Sequence, residues 1–380
     1  VTARHYRPPF PWFGGKSAVA ADVWSRFGRV DNYVEPFMGS LAMLLGRPGP
    51  IRGTETVNDA DGFVCNFWRA TAAAPHEVAR RADWPVNEND LHARHIWLKE
   101  RRGTLTARLE GDPDYFDARA AGWWAWGQCC WIGSGWCSEA ESGPWGLAVG
   151  DDGVAELVHL GDAGQGINRQ RVHLGDAGRG INRQRVHLGD AGQGINRQRV
   201  HLGDAGQGVK RQRVQLGDAG QGILADTRTD DLIGYFEGLC DRLRRVRVCC
   251  GDWTRVCGPT PTVKQGLTAV FLDPPYADTA GRDVGHGRAR LYAEDSLSVA
   301  HAVREWAIEH GDDPRLRIAL CGYDGEHAMP AGWAEWAWKA RGGYGSQSSA
   351  HDNPNARRER VWFSPHCPPD ELPLFAASRA

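Results

Sequence analysis

Short apolar runs that end on an acid or a turn residue organise the two ends of the chain. Ala269-Val270-Phe271-Leu272 runs into Asp273, Tyr33-Val34 into Glu35-Pro36, and Thr56-Val57 into Asn58-Asp59, while Leu316 to Tyr323 reads as a buried strand closing in a turn. Helical patterns lie between them. Leu41 to Leu45 follows the Gly39 turn, residues 71 to 110 are helical with His76, Glu77, Arg80 and Arg81 opening a polar face, and Ser296 to Glu309 is amphipathic. A strand that enters a glycine turn and then a helix is the layout of a nucleotide-type cofactor site. Asp59 follows Gly39 at the usual spacing, about twenty residues, for a carboxylate that grips a ribose hydroxyl pair.

The tetrapeptide Asp273-Pro274-Pro275-Tyr276 carries the chemistry. Proline fixes its own φ and lacks an N–H, so Pro274 and Pro275 are expected to stop the strand and leave the Pro274 carbonyl unpaired. That carbonyl and the Asp273 carboxylate are then two acceptors converging on one point. An exocyclic amine of a nucleobase is a poor nucleophile because its lone pair is delocalised into the ring. Accepting both of its N–H hydrogens pulls the nitrogen toward a pyramidal, attacking form, and Tyr276 supplies a face on which the base stacks. The alternative is a strand followed by a proline-rich turn without function.

Near the start, Pro11-Trp12-Phe13-Gly14-Gly15-Lys16 precedes a helical stretch, and Glu35-Pro36-Phe37-Met38-Gly39 forms the turn after the first strand. With Asp59 and the Asp273 tetrapeptide, these segments occur in the order found in the Dam-type adenine-N6 DNA methyltransferases of phages and bacteria, which the chain resembles over roughly residues 8 to 70 and 228 to 365. The resemblance implies an α/β fold, a Rossmann-like sheet of the S-adenosylmethionine-dependent methyltransferases with helices on both faces. It also implies a cofactor site lined by Trp12, Lys16, Glu35, Pro36, Phe37, Gly39, Asp59 and Asp273. Arg357 to Phe363 resembles the terminal strand of that fold, and Cys250-Gly251-Asp252-Trp253 the short strand flanking the adenine ring. The family commonly carries a second glycine two residues after the first, where this chain has Leu41. Read singly, Glu35 and Asp59 are equally helix caps or turn acids, Lys16 a solvated lysine and Trp12 a core residue. A phosphate-loop reading of Gly15-Lys16-Ser17 fails, because Phe10 stands where its first glycine is required.

Composition narrows the class. A chain of 380 residues with 41% hydrophobic content can bury a large core, and its net charge of −2 leaves any nucleic-acid surface to be local. No apolar stretch approaches membrane-spanning length, and the first thirty residues lack the run of a signal peptide. The ten cysteines contain no Cys-x-x-Cys pair and read as free thiols of a reducing compartment, with no metal expected.

The middle of the chain differs. Trp123, Trp124, Trp126, Trp131 and Trp136 form a cluster that is core or, at the place of the family's target-recognition subdomain, a set of rings touching DNA. From Val158 a 14-residue unit recurs at Val172, Val186 and Val200, and a decaying copy from Val214 ends near Thr227. Residues 158 to 222 hold ten Lys or Arg against five Asp, a local balance of +5. Arg169, Arg171, Arg183, Arg185, Arg197 and Arg199 in the repeats, with Arg282 and Arg288 in the Gly- and Arg-rich segment beyond Tyr276, are candidate phosphate contacts. The alternatives are an inert linker and a solvated lid.

These observations divide the chain into residues 1–70 and 228–366 as the two parts of a methyltransferase domain, 71–157 as a helical Trp-rich insertion, 158–227 as repeats and 367–380 as a tail. The function expected is methyl transfer from S-adenosylmethionine to adenine N6 in double-stranded DNA, with Asp273, Pro274, Pro275 and Tyr276 at the reacting amine and no metal. Cytosine N4 is the rival target, and an inactive DNA-binding protein that keeps the cofactor fold is the rival class. A cytoplasmic location, no membrane partner and a possible companion restriction endonuclease complete the expectation.

Overall fold

The computed structural model describes residues 6–12, 14–51, 53–131, 136–137, 147–149, 155–157, 229–276, 298–338 and 358–369. The repeat arginines Arg169, Arg171, Arg183, Arg185, Arg197 and Arg199, like Arg282 and Arg288, lie outside these residues.

Seven strands form one sheet. In chain order they are β1 (Asn32–Glu35), β2 (Thr54–Asp59), β5 (Val246–Cys250), β6 (Thr268–Leu272), β7 (Leu316–Tyr323), β8 (Ala334–Ala337) and β9 (Glu359–Phe363), and their spatial order is β5-β2-β1-β6-β7-β9-β8. The first five run parallel, and β9 is antiparallel to both β7 and β8. A separate antiparallel pair joins β3 (Leu147–Val149) to β4 (Ala155–Leu157). The α/β architecture with a mostly parallel sheet is therefore present.

Central strands buried on both faces read as continuous apolar runs because each side-chain parity meets its own layer of helices. Tyr33, Ala269, Phe271, Ala319, Cys321, Val361 and Phe363 share a core with α1 (Ala20–Phe27) and α3 (Gly62–Ala73). The opposite parity, Val34, Val270, Leu272, Ile318 and Leu320, packs on Val303 and Ala307 of a helix at Val299–His310. The register Val34↔Val270 and Leu272↔Leu320 keeps the two sets in line across the sheet.

Helices α4 (Pro75–Ala82), α5 (Glu88–Gly111), α6 (Ala118–Cys130) and α7 (Thr229–Leu243) extend the first core. α4 lies against α6 and α7, and α3 against α5, α6 and α7, so the helices before and after the repeats share one interior. Helix α3 itself runs across positions 70 and 71. Most of the tryptophan cluster belongs here: Trp124, Trp126, Trp131 and Trp136 are buried, while Trp123 is half-buried. Arg94 is buried with its guanidinium over the rings of Trp84, Trp123 and Trp126.

An ionic triad ties this layer to the sheet. Glu55 of β2, 1% exposed, receives Arg47 Nη1 at 2.9 Å and Arg242 Nη1 of α7 at 2.6 Å. The arginines also donate to the Val30 and Leu44 carbonyls, so most of the buried polarity is matched. Glu55→Ala leaves two buried guanidiniums without a carboxylate and should lower stability by about 3–5 kcal/mol. Urea unfolding checks this; a midpoint unchanged from wild type would mean that the triad contributes nothing to holding α7.

Candidate active site

Strands β1 and β6 are neighbours, yet the chain leaves β1 toward β2 and returns to β6 only after β5. This reversal opens a crevice at the carboxyl ends of the strands, where ligands of doubly wound sheets bind. The acids singled out in the sequence, Glu35, Asp59 and Asp273, all lie at those ends.

The Lys16 segment reaches the crevice from the side. Phe10 packs edge-on against Phe67 and Trp124, anchoring the segment on α3 and α6, and Gly15 N donates to Trp12 O to make a tight turn. Lys16, only 3% exposed, then points inward. Its Nζ lies 2.8 Å from Asp273 Oδ1, donates to Tyr276 Oη at 3.0 Å and to Gly14 O at 2.9 Å, and stands 3.9 Å from Glu359 Oε2. Burial alone would push the ammonium down; the Asp273 and Glu359 carboxylates more than offset that and hold it above the ordinary lysine range. Lysine is therefore a fixed cation here.

Strand β6 ends at Leu272, one residue before Asp273, as two consecutive prolines require. The Pro274 carbonyl accepts no hydrogen bond from the described residues. Tyr276 is buried with its ring edge-on to Tyr323, and its hydroxyl donates to Glu359 Oε2 at 2.8 Å and stands 3.4 Å from Asp273 Oδ1. Burial, with the Asp273 carboxylate nearby, pushes the Cys321 thiol on β7 up. Asp273, with 22% side-chain exposure against 3% for Lys16 and 7% for Glu359, is the member that meets solvent.

The glycine turn forms a second cluster. Gly39 adopts φ +42°, its N–H donates to Asp59 Oδ2 at 3.0 Å, and its carbonyl accepts Trp68 Nε1 at 2.9 Å. A Cβ at Gly39 would fall 2.3 Å from Trp12 Nε1, so glycine is required both by conformation and by the indole that covers it. Leu41, two residues after Gly39, takes φ +55° and is fully buried. A side chain there is held in the left-handed region against a preference of roughly 1–2 kcal/mol. Helix α2 (Ala42–Leu45) accordingly begins one residue later than the sequence pattern indicates.

Asp59 is held by backbone at both oxygens: Oδ2 accepts Gly39 N and Oδ1 accepts Asp61 N at 2.9 Å. Burial pushes its carboxyl up to about 7, more than these N–H donors can offset. Next to it, Asn58 donates to the carbonyls of Pro36 and Gly251, lashing the ends of β1, β2 and β5 together. Glu35 is buried, accepts Tyr33 Oη at 2.9 Å, and is raised by burial well above the usual carboxylate range. Phe37 is half-buried with its ring 6.3 Å from that of Trp253 and inclined to it by 30°. Asp252 is exposed and caps a short turn at Trp253–Val256 through Thr254 N; it is not in a strand, because Gly251 at φ +123° has already turned the chain.

No protein-family model and no curated protein matches this chain.

Lys16, Asp273 and Tyr276 thus meet in one cluster and Trp12, Gly39 and Asp59 in a second, while Glu35, Pro36 and Phe37 follow the end of β1 and Pro274 and Pro275 the end of β6. Glu359, Tyr33, Trp68 and Asn58 join them without having been singled out in the sequence. For Glu359 the signal was its parity: it shares the inward face of β9 with Val361 and Phe363, an unusual place for an acid. Among the described residues no group of three or more His, Cys, Asp and Glu side chains is set to hold a metal ion.

Because the folded state holds the Asp59 proton more tightly than the unfolded chain does, its contribution to stability is full below about pH 4 and is lost as pH rises through about 7. Asp59→Asn removes this titration. The stability of the variant relative to wild type should therefore rise between about pH 5 and pH 8, measured by urea unfolding; a pH-independent difference would contradict the raised carboxyl.

Proposed function

We propose that the chain is an S-adenosylmethionine-dependent DNA methyltransferase that modifies adenine at N6. The observation that carries this reading is the end of β6: an ionised-lysine partner fixes the Asp273 carboxylate beside a Pro274 carbonyl that no described group uses. Two acceptors next to a doubly wound crevice suit a flat amine whose lone pair must be freed.

The residues present fit the cofactor. Asp59 at the end of β2 has the position of a ribose-binding acid, and the Phe37 and Trp253 rings offer apolar faces to a purine. Gly39 and Trp12 would close the turn beside it. When bound, S-adenosylmethionine supplies a methyl group already activated by its sulfonium charge.

The chain's own work is orientation. Asp273 and the Pro274 carbonyl accept the two N–H groups of the target amine and concentrate its lone pair on nitrogen. Lys16 holds Asp273 in place. Pro274 and Pro275 stiffen the segment so that the two acceptors keep their separation. The role proposed for Tyr276, stacking of the base, uses a ring whose hydroxyl is anchored inward on Lys16 and Glu359. Arg169, Arg171, Arg183, Arg185, Arg197, Arg199, Arg282 and Arg288 remain proposed contacts to the phosphates of double-stranded DNA.

Incubation of the protein with duplex DNA and methyl-labelled S-adenosylmethionine, followed by nucleoside analysis, tests the proposal. Label in N6-methyladenine is expected; label on cytosine N4 would assign the rival target, and no label would refute methyl transfer. Asp273→Ala should lower the rate by about 100-fold or more while calorimetry still detects cofactor binding. Loss of cofactor binding instead would move Asp273 to the other half of the crevice. Asp59→Ala should raise the S-adenosylmethionine concentration for half-maximal rate with DNA affinity nearly unchanged, and an unaltered cofactor dependence would reduce Asp59 to a turn acid.

A further inference from the structure

Methyl transfer to an exocyclic amine leaves a proton to be removed, and the geometry behind Asp273 contains a path for it. As the N–CH3 bond forms and the S–CH3 bond breaks, the amine nitrogen spends its lone pair and must shed one N–H proton to return to neutrality. Asp273 touches that amine in the function proposed above, on which this inference rests. A second carboxylate, Glu359, lies behind Asp273, and the two acids share one hydroxyl. Tyr276 Oη is 2.8 Å from Glu359 Oε2 and 3.4 Å from Asp273 Oδ1.

We infer that Glu359 is the acceptor in which the displaced proton comes to rest, delivered from Asp273 through the Tyr276 hydroxyl. The transfer balances. Asp273 takes the N–H proton and gives it to Tyr276 Oη while Tyr276 gives its own proton to Glu359, so Asp273 ends as a carboxylate and Glu359 as a carboxylic acid. Tyr276 is unchanged in charge throughout.

The surroundings of Glu359 favour this direction. It is 5% exposed at the start of β9, and burial raises its carboxyl above the usual range, an effect that Lys16 and the Tyr276 hydrogen bond reduce without cancelling. The charged or titratable groups facing it are Lys16 from the N-terminal segment, Asp273 and Tyr276 beyond β6, and Cys321 on β7. From the β8 side the neighbour is Trp338, whose backbone N–H donates to the Glu359 carbonyl and whose ring lies 6.0 Å from Lys16 Nζ. Lys16 already carries its full complement of protons and has no lone pair to take another, so it fixes the two acids without standing in the path. Returning Asp273 to its ionised form inside the crevice readies it for the next amine, and the Glu359 proton leaves after product release.

Glu359 therefore acts through Tyr276 as a positioning and proton-holding residue, and two measurements on the full chain test this. Infrared titration of the cofactor-free protein should show a carboxylic-acid stretch that appears above the ordinary glutamate range, disappears in Glu359→Gln, survives Asp273→Asn, and shifts in Tyr276→Phe. In methyl-transfer assays Glu359→Gln should lose about tenfold or more in kcat, with half-maximal concentrations of cofactor and DNA unchanged. The acid limb of its pH–rate profile should be absent. Tyr276→Phe should show a loss of the same kind, and the double variant should be no slower than the slower single one.

A band that instead follows Asp273, a wild-type pH profile in Glu359→Gln, or additive losses in the double variant would overturn the relay. If wild-type protein methylates nothing, the functional reading fails and the relay with it; an infrared band assigned to Glu359 would then show only where a proton can reside.

Discussion

A lysine ammonium cannot be taken out of water without carboxylates to meet it, and the candidate site is organised around that requirement. The effective penalty for one buried ion is several kcal/mol, and it is repaid only by close and well-directed partners. Lys16 obtains them from three separate parts of the chain: the Gly14 carbonyl beside it, the Asp273 segment after the central strand, and Glu359 on the last strand. Each of these must be in register for the charge to be stable. The ion pair thereby specifies how the N-terminal segment, β6 and β9 sit against one another, which packing of apolar side chains alone would fix less sharply.

The sheet topology makes such a meeting possible. In the parallel strands the crevice is formed by carboxyl ends, so each contributes a residue only as it leaves the sheet. Strand β9 runs the other way, and its first residue therefore arrives at the same edge as the last residues of β6 and β7. The pairing Tyr323↔Glu359 records this. An inward-facing acid at the start of an antiparallel strand can thus stand behind an acid at the end of a parallel one, with the Tyr276 hydroxyl between them.

Much of the sheet was legible in the sequence because its central strands are buried on both faces. Thr268–Leu272 and Leu316–Tyr323 leave little room for polar residues, and the turns after Glu35 and Asp59 are written in glycine, proline and acids. Leu41 was not legible. A leucine before a helical run reads as helix, and only the contact of Leu41 N with Met38 O and a fully buried side chain keep it in the left-handed region. Asp252 was misplaced for the converse reason, since Gly251 ends β5 before the acid is reached. Glu359 carried no local signal beyond its parity, because its partners come from distant segments. The tryptophans were ambiguous by composition; helices α3 to α7 decide for most of them by sharing one interior.

Lys16 and Tyr276 are separated by 260 residues, and Tyr276 and Glu359 by a further 83, so the site is among the most non-local features of the molecule. Chains are made and begin to fold from their N-terminal side, and contacts of such sequence separation form late. Until β6 emerges Lys16 has no carboxylate from this cluster and must remain in water; until β9 emerges it has one. A nascent chain can therefore acquire its helical layer and much of its parallel sheet while the edge that carries the charge cluster is still open. The charge cluster behaves as a latch that closes only when β9, the last strand among the described residues, has been laid down.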